Sequence, residues 1–224
     1  MRILAISDIH GCLNTFKGLL QQISFSKKDH LFLIGDFIDR GPYSKGVIVY
    51  VWKLQAAGHT ITCIKGNHEQ MMLDSLVNLN QARNWLHHGG TQTLDSFGVD
   101  DLKKVTKKYI RWMQNLPSFA IKDDYIFVHA GLNFDMPNPM KGAESMIWIR
   151  NWYTDINYQW LGKRIIVHGH TPMKKTEIEE MFRTMDAMQV LDIDAGCCFD
   201  YEGLGHLCAV DLTNRAIYFR KRIL

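Results

Sequence analysis

Aspartate, asparagine and histidine recur in five short clusters along this 224-residue sequence, each placed just after an apolar run. Asp8 and His10 follow Ile3–Ile6, and Asp36 follows Leu31–Ile34. Asn67 and His68 follow Ile61–Ile64, His129 follows Tyr125–Val128, and His168 and His170 follow Ile165–Val167. Carboxylate and amide oxygens with imidazole nitrogens, and no thiolate beside them, form a hard-to-borderline donor set suited to manganese, iron or zinc. Six or seven such ligands exceed the needs of one tetrahedral ion. They fit two ions about 3.5–4 Å apart that share a carboxylate. Taken singly, an Asp before a turn caps a helix and a His at a strand end is merely hydrogen-bonded; recurrence at successive strand ends is what points to a metal centre.

The elements that must position these clusters are legible from periodicity. Runs of about four β-branched or aromatic residues bounded by glycine read as buried strands. Leu13, Phe16, Leu19, Leu20 and Ile23 mark one helical stripe, and Val47, Ile48, Val51, Trp52 and Leu54 a second. Asp101–Asn115 reads as a further helix with Leu102, Val105, Tyr109 and Met113 on one face. The first half is therefore β-α-β-α-β. Val190–Ile193, His206–Leu212 and Arg215–Arg220 read as later strands, the last two a hairpin turning at Thr213-Asn214. Helices early and hairpins late predict an α/β (α+β) fold, with two mixed sheets packed face to face and helices outside. The polar clusters then fall at the C-terminal ends of the strands, where loops converge over a rigid scaffold.

Composition supports one globular domain over residues 1–224 and excludes a disordered or fibrous chain: 46% of residues are apolar and 22% charged. Net charge is +3 without a long basic run, so nothing favours nucleic acid or an anionic membrane as partner. No stretch approaches the roughly 18–20 apolar residues of a membrane helix. Cys12, Cys63, Cys197, Cys198 and Cys208 form an odd, scattered set, which predicts buried thiols and a reducing cytoplasm. Met71, Met72, Met181, Met185 and Met188 read as packing.

Five motifs carry a family resemblance. Asp8-Ile9-His10-Gly11, Gly35-Asp36-Phe37-Ile38-Asp39-Arg40-Gly41, Gly66-Asn67-His68-Glu69, His129-Ala130-Gly131 and Gly169-His170-Thr171-Pro172 resemble, in order and spacing, those of the PPP-type metallophosphatases of the calcineurin-like phosphoesterase superfamily. The resemblance spans about residues 1–210. It implies that Asp8 and His10 hold one divalent ion, that Asp36 bridges two, and that Asn67, His129 and His170 hold the second. The ions would be manganese, with iron or zinc as alternatives. It further implies that Arg40 binds phosphate, that His68 protonates the leaving group, and that Asp39 orients the His68 imidazole. Arg150 resembles the second phosphate-binding arginine of short bacterial and phage members.

Departures are few. Ser7 stands where many members have Gly, and Ala130 replaces the middle residue of His-Gly-Gly. His88-Gly89-Gly90 resembles the Asn-Gly-Gly segment at the active-site rim, so His87 and His88 receive no metal role. His168 is expected to support the ligands from behind, and Asp194-Ala195-Gly196-Cys197 resembles a segment that closes the site through its backbone.

The resemblance implies direct hydrolysis by a hydroxide shared between the ions, with His68 as general acid and no phosphoenzyme. The expected activity is a metal-dependent phosphomonoesterase acting on phosphoserine and phosphothreonine in proteins or peptides, with some action on small phosphate esters. The alternative is a symmetrical dinucleoside tetraphosphate hydrolase, which shares every motif but tends to be longer. A phosphodiesterase of the Gly-His-x-His branch is disfavoured, because Pro172 fills the last of those places.

Overall fold

The computed structural model describes residues 1–223. In chain order the first half contains β1 (Arg2–Ile6), α1 (Leu13–Gln22), β2 (Asp29–Ile34), α2 (Ser44–Ala56), β3 (Thr60–Ile64), α3 (Asn67–Asp74), α4 (Leu79–Trp85), α5 (Thr91–Phe97) and α6 (Lys107–Gln114). There follow β4 (Phe119–Lys122), β5 (Tyr125–Val128), α7 (Ser145–Trp148), α8 (Tyr158–Leu161), β6 (Ile165–His168), α9 (Lys175–Met188), β7 (Val190–Asp192), β8 (His206–Asp211) and β9 (Ala216–Lys221).

The described strands form two mixed sheets, ordered β3-β2-β1-β8-β9 and β4-β5-β6-β7. β1, β2 and β3 run parallel, with β8 and β9 antiparallel at the other edge. In the second sheet β5, β6 and β7 run parallel and β4 pairs antiparallel with β5.

Side chains alternate across each strand, and that period of two sorts the core into layers. Ile3, Ala5, Phe32 and Ile34 meet Phe127, Val167 and Leu191 between the sheets. Leu4, Ile6, Leu31 and Leu33 face the other way, onto Phe16 and Leu19 of α1 and Val47, Ile48 and Val51 of α2. The second sheet sends Ile126, Val128, Ile166 and Val190 outward against Met146, Trp152 and Leu161. Two mixed sheets flanked by helices are what the apolar runs predict. The methionines divide: Met71, Met72 and Met185 are core, whereas Met188 is half-exposed.

The reading of Asp101–Asn115 as one helix is corrected. Asp101 accepts a hydrogen bond from Lys103 N at 2.8 Å, giving a single tight turn over Leu102–Lys104. Val105 is then extended, with ψ 129°, and α6 starts only at Lys107. Adjacent β-branched Val105 and Thr106 favour that extended break. β4 and α9 escape the periodicity reading, since β4 is a half-exposed edge strand and α9 buries fully only Ile178 and Met185.

Phe32 and Phe127 stack across the inter-sheet layer with ring centroids 4.0 Å apart. They fasten the two sheets directly beneath the ends that carry Asp36 and His129. Phe127→Ala should cost about 3–5 kcal/mol in denaturant unfolding; a loss below about 1 kcal/mol would show that this contact does not hold the sheets together.

Candidate metal centre

Each parallel strand of the two sheets ends at one shared edge, and the backbone there turns sharply. Asp8, His10, Asp36, Asp39, Arg40 and His170 all have positive φ, between 43° and 76°. They make up six of the eleven non-glycine residues in that region of φ among the described residues, so the strain is concentrated here. Glu69 holds one such turn in place. Its Oε2 accepts from Asp36 N at 2.9 Å and Gly66 N at 3.0 Å. Its Oε1 accepts from Phe37 N at 2.8 Å and Ile38 N at 3.3 Å. A fully buried carboxylate thus ties the turn after β2 to the N-terminus of α3. Close approach does the rest: a Cβ at Gly66 would overlap Asp36 Oδ1, and one at Gly169 would overlap Asp8 Oδ2 and Ser7 Oγ.

Asp8, His10, Asp36, Asn67, His68, His129 and His170 are all buried and converge. His10 Nδ1 donates to Ile38 O at 2.8 Å, which leaves the Nε2 lone pair facing Asp36 Oδ2 at 3.4 Å and Asp8 Oδ1 at 4.0 Å. His129 Nδ1 donates to Ile34 O at 2.9 Å. Its Nε2 lone pair then lies 2.9 Å from Asn67 Oδ1 and 3.5 Å from Asp36 Oδ1. His170 Nδ1 lies 3.0 Å from the same Asn67 oxygen, and His170 Nε2 has no hydrogen-bond partner among the described residues. Electron-rich atoms facing one another without a proton between them repel, and a cation among them reverses the sign. Burial pushes Asp36 well above the usual carboxylate range, with Asp8 and Glu69 adding like charge. Burial and Arg40 push His10 well below its ordinary value. Imidazole nitrogens, two carboxylates and an amide oxygen form a donor set that fits divalent ions. Two overlapping groups, Asp8/Asp36/His129 and His10/Asp36/His68, have Asp36 in common.

His68 stands one step aside from these lone pairs. Its Nδ1 lies 2.7 Å from Asp39 Oδ2, and its Nε2 points toward Asp36 Oδ2 at 3.9 Å. Asp39 is fully buried and accepts from Trp85 Nε1 at 2.9 Å and Thr93 Oγ1 at 2.6 Å. Burial pushes Asp39 up to about 7 against those donors, and burial pushes His68 down to about 4. Burial penalises a lone charge on either group, and the 2.7 Å contact between them offsets part of that penalty. Arg40 reaches into the cluster, with Nη1 2.7 Å from His10 Nε2 and its guanidinium over the Phe199 ring at 5.1 Å.

Arg150 lies farther out. It is exposed and donates to Thr171 Oγ1 at 2.8 Å, beside His170 rather than among the ligands. His87 and His88 are exposed on the rim, and Arg40 N donates to Gly89 O at 3.3 Å. His168 sits behind His170, with Nδ1 donating to Gly169 O at 2.9 Å and Nε2 2.9 Å from Tyr153 Oη. Sequence reasoning assigned no role to Glu69, Trp85 or Thr93. Glu69 was visible inside Gly66-Asn67-His68-Glu69, but Trp85 and Thr93 reach Asp39 only through the tertiary fold.

A two-layered fold with this constellation at its strand ends is that of a metallophosphoesterase. The calcineurin-like phosphoesterase family model matches residues 1–203, and the chain belongs to that family. It is 31% identical over 137 residues to a symmetrical bis(5'-nucleosyl)-tetraphosphatase of Ectopseudomonas mendocina, covering 59% of this chain and 45% of that protein. The match thus spans just under half the length of that relative. It is 28% identical over 220 residues to the asymmetrical bis(5'-nucleosyl)-tetraphosphatase PrpE of Bacillus velezensis, covering 87% of this chain and 84% of that one. Among solved structures, a protein serine/threonine phosphatase from Saccharomyces cerevisiae superposes with TM-score 0.71 at 15% identity, over all of this chain and 81% of its own, a likeness of fold. No helix among the described residues is long and apolar enough to cross a membrane.

Metal binding should appear as stability. Manganese at a hundred times its dissociation constant should add about 2.7 kcal/mol. Asp36→Asn should remove most of that gain and leave the metal-free protein no less stable than the parent, because one buried like charge is gone and Asn keeps the acceptor for His68 N. Thermal unfolding with and without chelator measures both, and a melting temperature indifferent to manganese, iron and zinc would contradict the assignment.

Proposed function

We propose that the chain hydrolyses dinucleoside polyphosphates at this centre. The observation that carries the reading is a pair of clefts, each with an arginine that reaches a different part of the cluster: Arg40 lies 2.7 Å from His10, and Arg150 donates to Thr171 beside His170. One, of about 540 Å³, opens beside Arg40 at the His10 end, between His87, His88 and Phe199. The other, of about 470 Å³, opens beside Arg150 at the His170 end, between Tyr153, Thr171 and Met173. A phosphate chain lying across the metal ligands would leave an organic group at each end, and each cleft offers it aromatic surface. Similarity to the symmetrical and asymmetrical tetraphosphatases supports this reading over the phosphoprotein phosphatase ranked first from sequence. The second reading keeps one observation in its favour: Arg150 and the rim around His87 and His88 are open to solvent, as a phosphoserine on a protein surface requires.

The residues divide the work. Asp8, His10, Asp36, Asn67, His129 and His170 would hold two divalent ions, with manganese first and iron or zinc as alternatives. Such ions polarise phosphoryl oxygens and make water acidic enough to supply a nucleophile near neutral pH. Arg40 meets phosphate oxygens with a planar fork, its approach set by the positive φ of its own backbone and by stacking on Phe199. Arg150 offers the same chemistry beside His170. His68 Nε2 faces the cluster and delivers a proton to the departing oxygen, while Asp39, pinned by Trp85 and Thr93, fixes the ring through Nδ1.

Two measurements follow. The manganese-loaded enzyme should show kcat/KM at least about tenfold higher on diadenosine tetraphosphate than on a phosphoserine peptide, stacking being worth about 1–3 kcal/mol per base; the reverse order would replace the dinucleotide reading with the phosphoprotein one. His68→Asn should lower kcat about 10²–10⁴-fold on an alkyl phosphate and less on p-nitrophenyl phosphate, whose leaving group needs little protonation. Equal losses on both would remove His68 as the acid.

A further inference from the structure

We propose that Trp148 is the surface on which the base of a nucleotide stacks, while Arg150 beside it holds the phosphate. The inference rests on the dinucleotide reading and names the residue that takes the organic group at the His170 end. Trp148 ends α7 and is 40% exposed, whereas the other five tryptophans are buried or half-buried. A lone exposed apolar residue needs no explanation, but this one stands at the metal centre. Its ring lies edge-on to the candidate ligand His170, with centroids 6.4 Å apart and planes at 89°. Arg150, two residues on, donates to Thr171 Oγ1 at 2.8 Å, next to the same ligand. An exposed indole and an exposed guanidinium thus meet at one corner of the cluster.

There is room beside the indole. Trp148 lines a cleft of about 310 Å³ with Ile147, Lys65, Gln70, Asp74 and Glu144, at the small end of the roughly 300–1,000 Å³ of small-molecule sites. Lys65 and Gln70 bracket Asn67 in sequence, so the cleft borders the ligand-bearing start of α3 and, through Trp148, His170. Its polar lining is a chain of donors and acceptors: Lys65 Nζ donates to Gln70 Oε1 at 3.4 Å, and Gln70 Nε2 to Asp74 Oδ1 at 2.8 Å. A π-face with amide, ammonium and carboxylate groups nearby matches the face and the hydrogen-bonding edge of a base. The guanidinium of Arg150 matches the phosphate that the base carries. A phosphoserine peptide would offer the phosphate but no flat ring for the indole. Tyr153, the aromatic residue of the Arg150 cleft, is half-buried against Trp152 and His168, with its hydroxyl engaged at His168 Nε2. It has less free face to offer than Trp148.

Adenosine 5'-monophosphate and ribose 5-phosphate share sugar and phosphate, so comparing them as inhibitors of p-nitrophenyl phosphate hydrolysis isolates the base. The manganese-loaded parent should bind the adenosine compound about tenfold tighter or more, the gain expected of one stacked base. Trp148→Ala should bring the two inhibition constants within about twofold of each other, and Trp148→Phe should keep most of the gap, because a ring remains. Equal constants in the parent, or a gap that survives Trp148→Ala, overturn the proposal. A second readout is independent of turnover. Adenosine 5'-monophosphate, and not ribose 5-phosphate, should change the tryptophan emission of the parent, and Trp148→Phe should abolish the response; emission that does not respond, or responds equally in Trp148→Phe, overturns the proposal as well. None of these results depends on which substrate is cleaved faster, so the stacking surface and the dinucleotide reading fail separately.

Discussion

Lone pairs forced to face one another are the constraint on which this structure turns. His129 Nε2 and Asn67 Oδ1 stand 2.9 Å apart, with His129 Nδ1 turned to Ile34 O, and His10 Nε2, met by Arg40 Nη1 at 2.7 Å, lies 3.4 Å from Asp36 Oδ2. No fold adopts such contacts for stability. They are held by elements that give the local chain no other option: Glu69 clamping four backbone N–H groups, glycines where a Cβ would overlap a carboxylate, and strands whose pairing fixes where each turn begins. The sandwich beneath supplies the rigidity. Phe32 and Phe127 lock the two sheets at a depth from which Asp36 and His129 arrive already aimed. Strain of this kind is tolerable when a ligand relieves it, and a divalent cation is the ligand whose charge matches.

The same logic extends outward from the ligands. Asp39 is a carboxylate surrounded by donors from three separate elements: His68 of α3, Trp85 of α4 and Thr93 of α5. Their convergence explains the unusual turn at Leu86–Gly90, where Gly89 with φ 109° brings the chain against Arg40 and lets Trp85 and Thr93 reach one carboxylate. A segment that reads as an odd His-Gly-Gly in sequence is thus a packing device for Arg40 and for Asp39, the partner of His68. Its histidines remain outside, on the wall of the cleft beside Arg40.

The strands and the polar residues that meet at their ends were legible because each depends on local pattern. A buried parallel strand is a short apolar run, and the candidate ligands lie within the first few residues after it. Residues that act through distance were not legible. Trp85 looks like any apolar helix residue until it is found donating to Asp39. The break between Leu102–Lys104 and α6 lay below the resolution of periodicity, because the apolar spacing continues across it while the backbone does not. Periodicity reports which face is buried, not whether the hydrogen-bond ladder is unbroken.

The facing donor atoms make a candidate site for two ions sharing Asp36. Electron paramagnetic resonance during titration with manganese tests it most directly, because ions about 3.5–4 Å apart are magnetically coupled. Uptake of two manganese ions per chain is expected, with a coupled signal that Asp36→Asn converts to that of isolated ions. Two uncoupled ions, or a single ion whose signal is indifferent to Asp36, would contradict it.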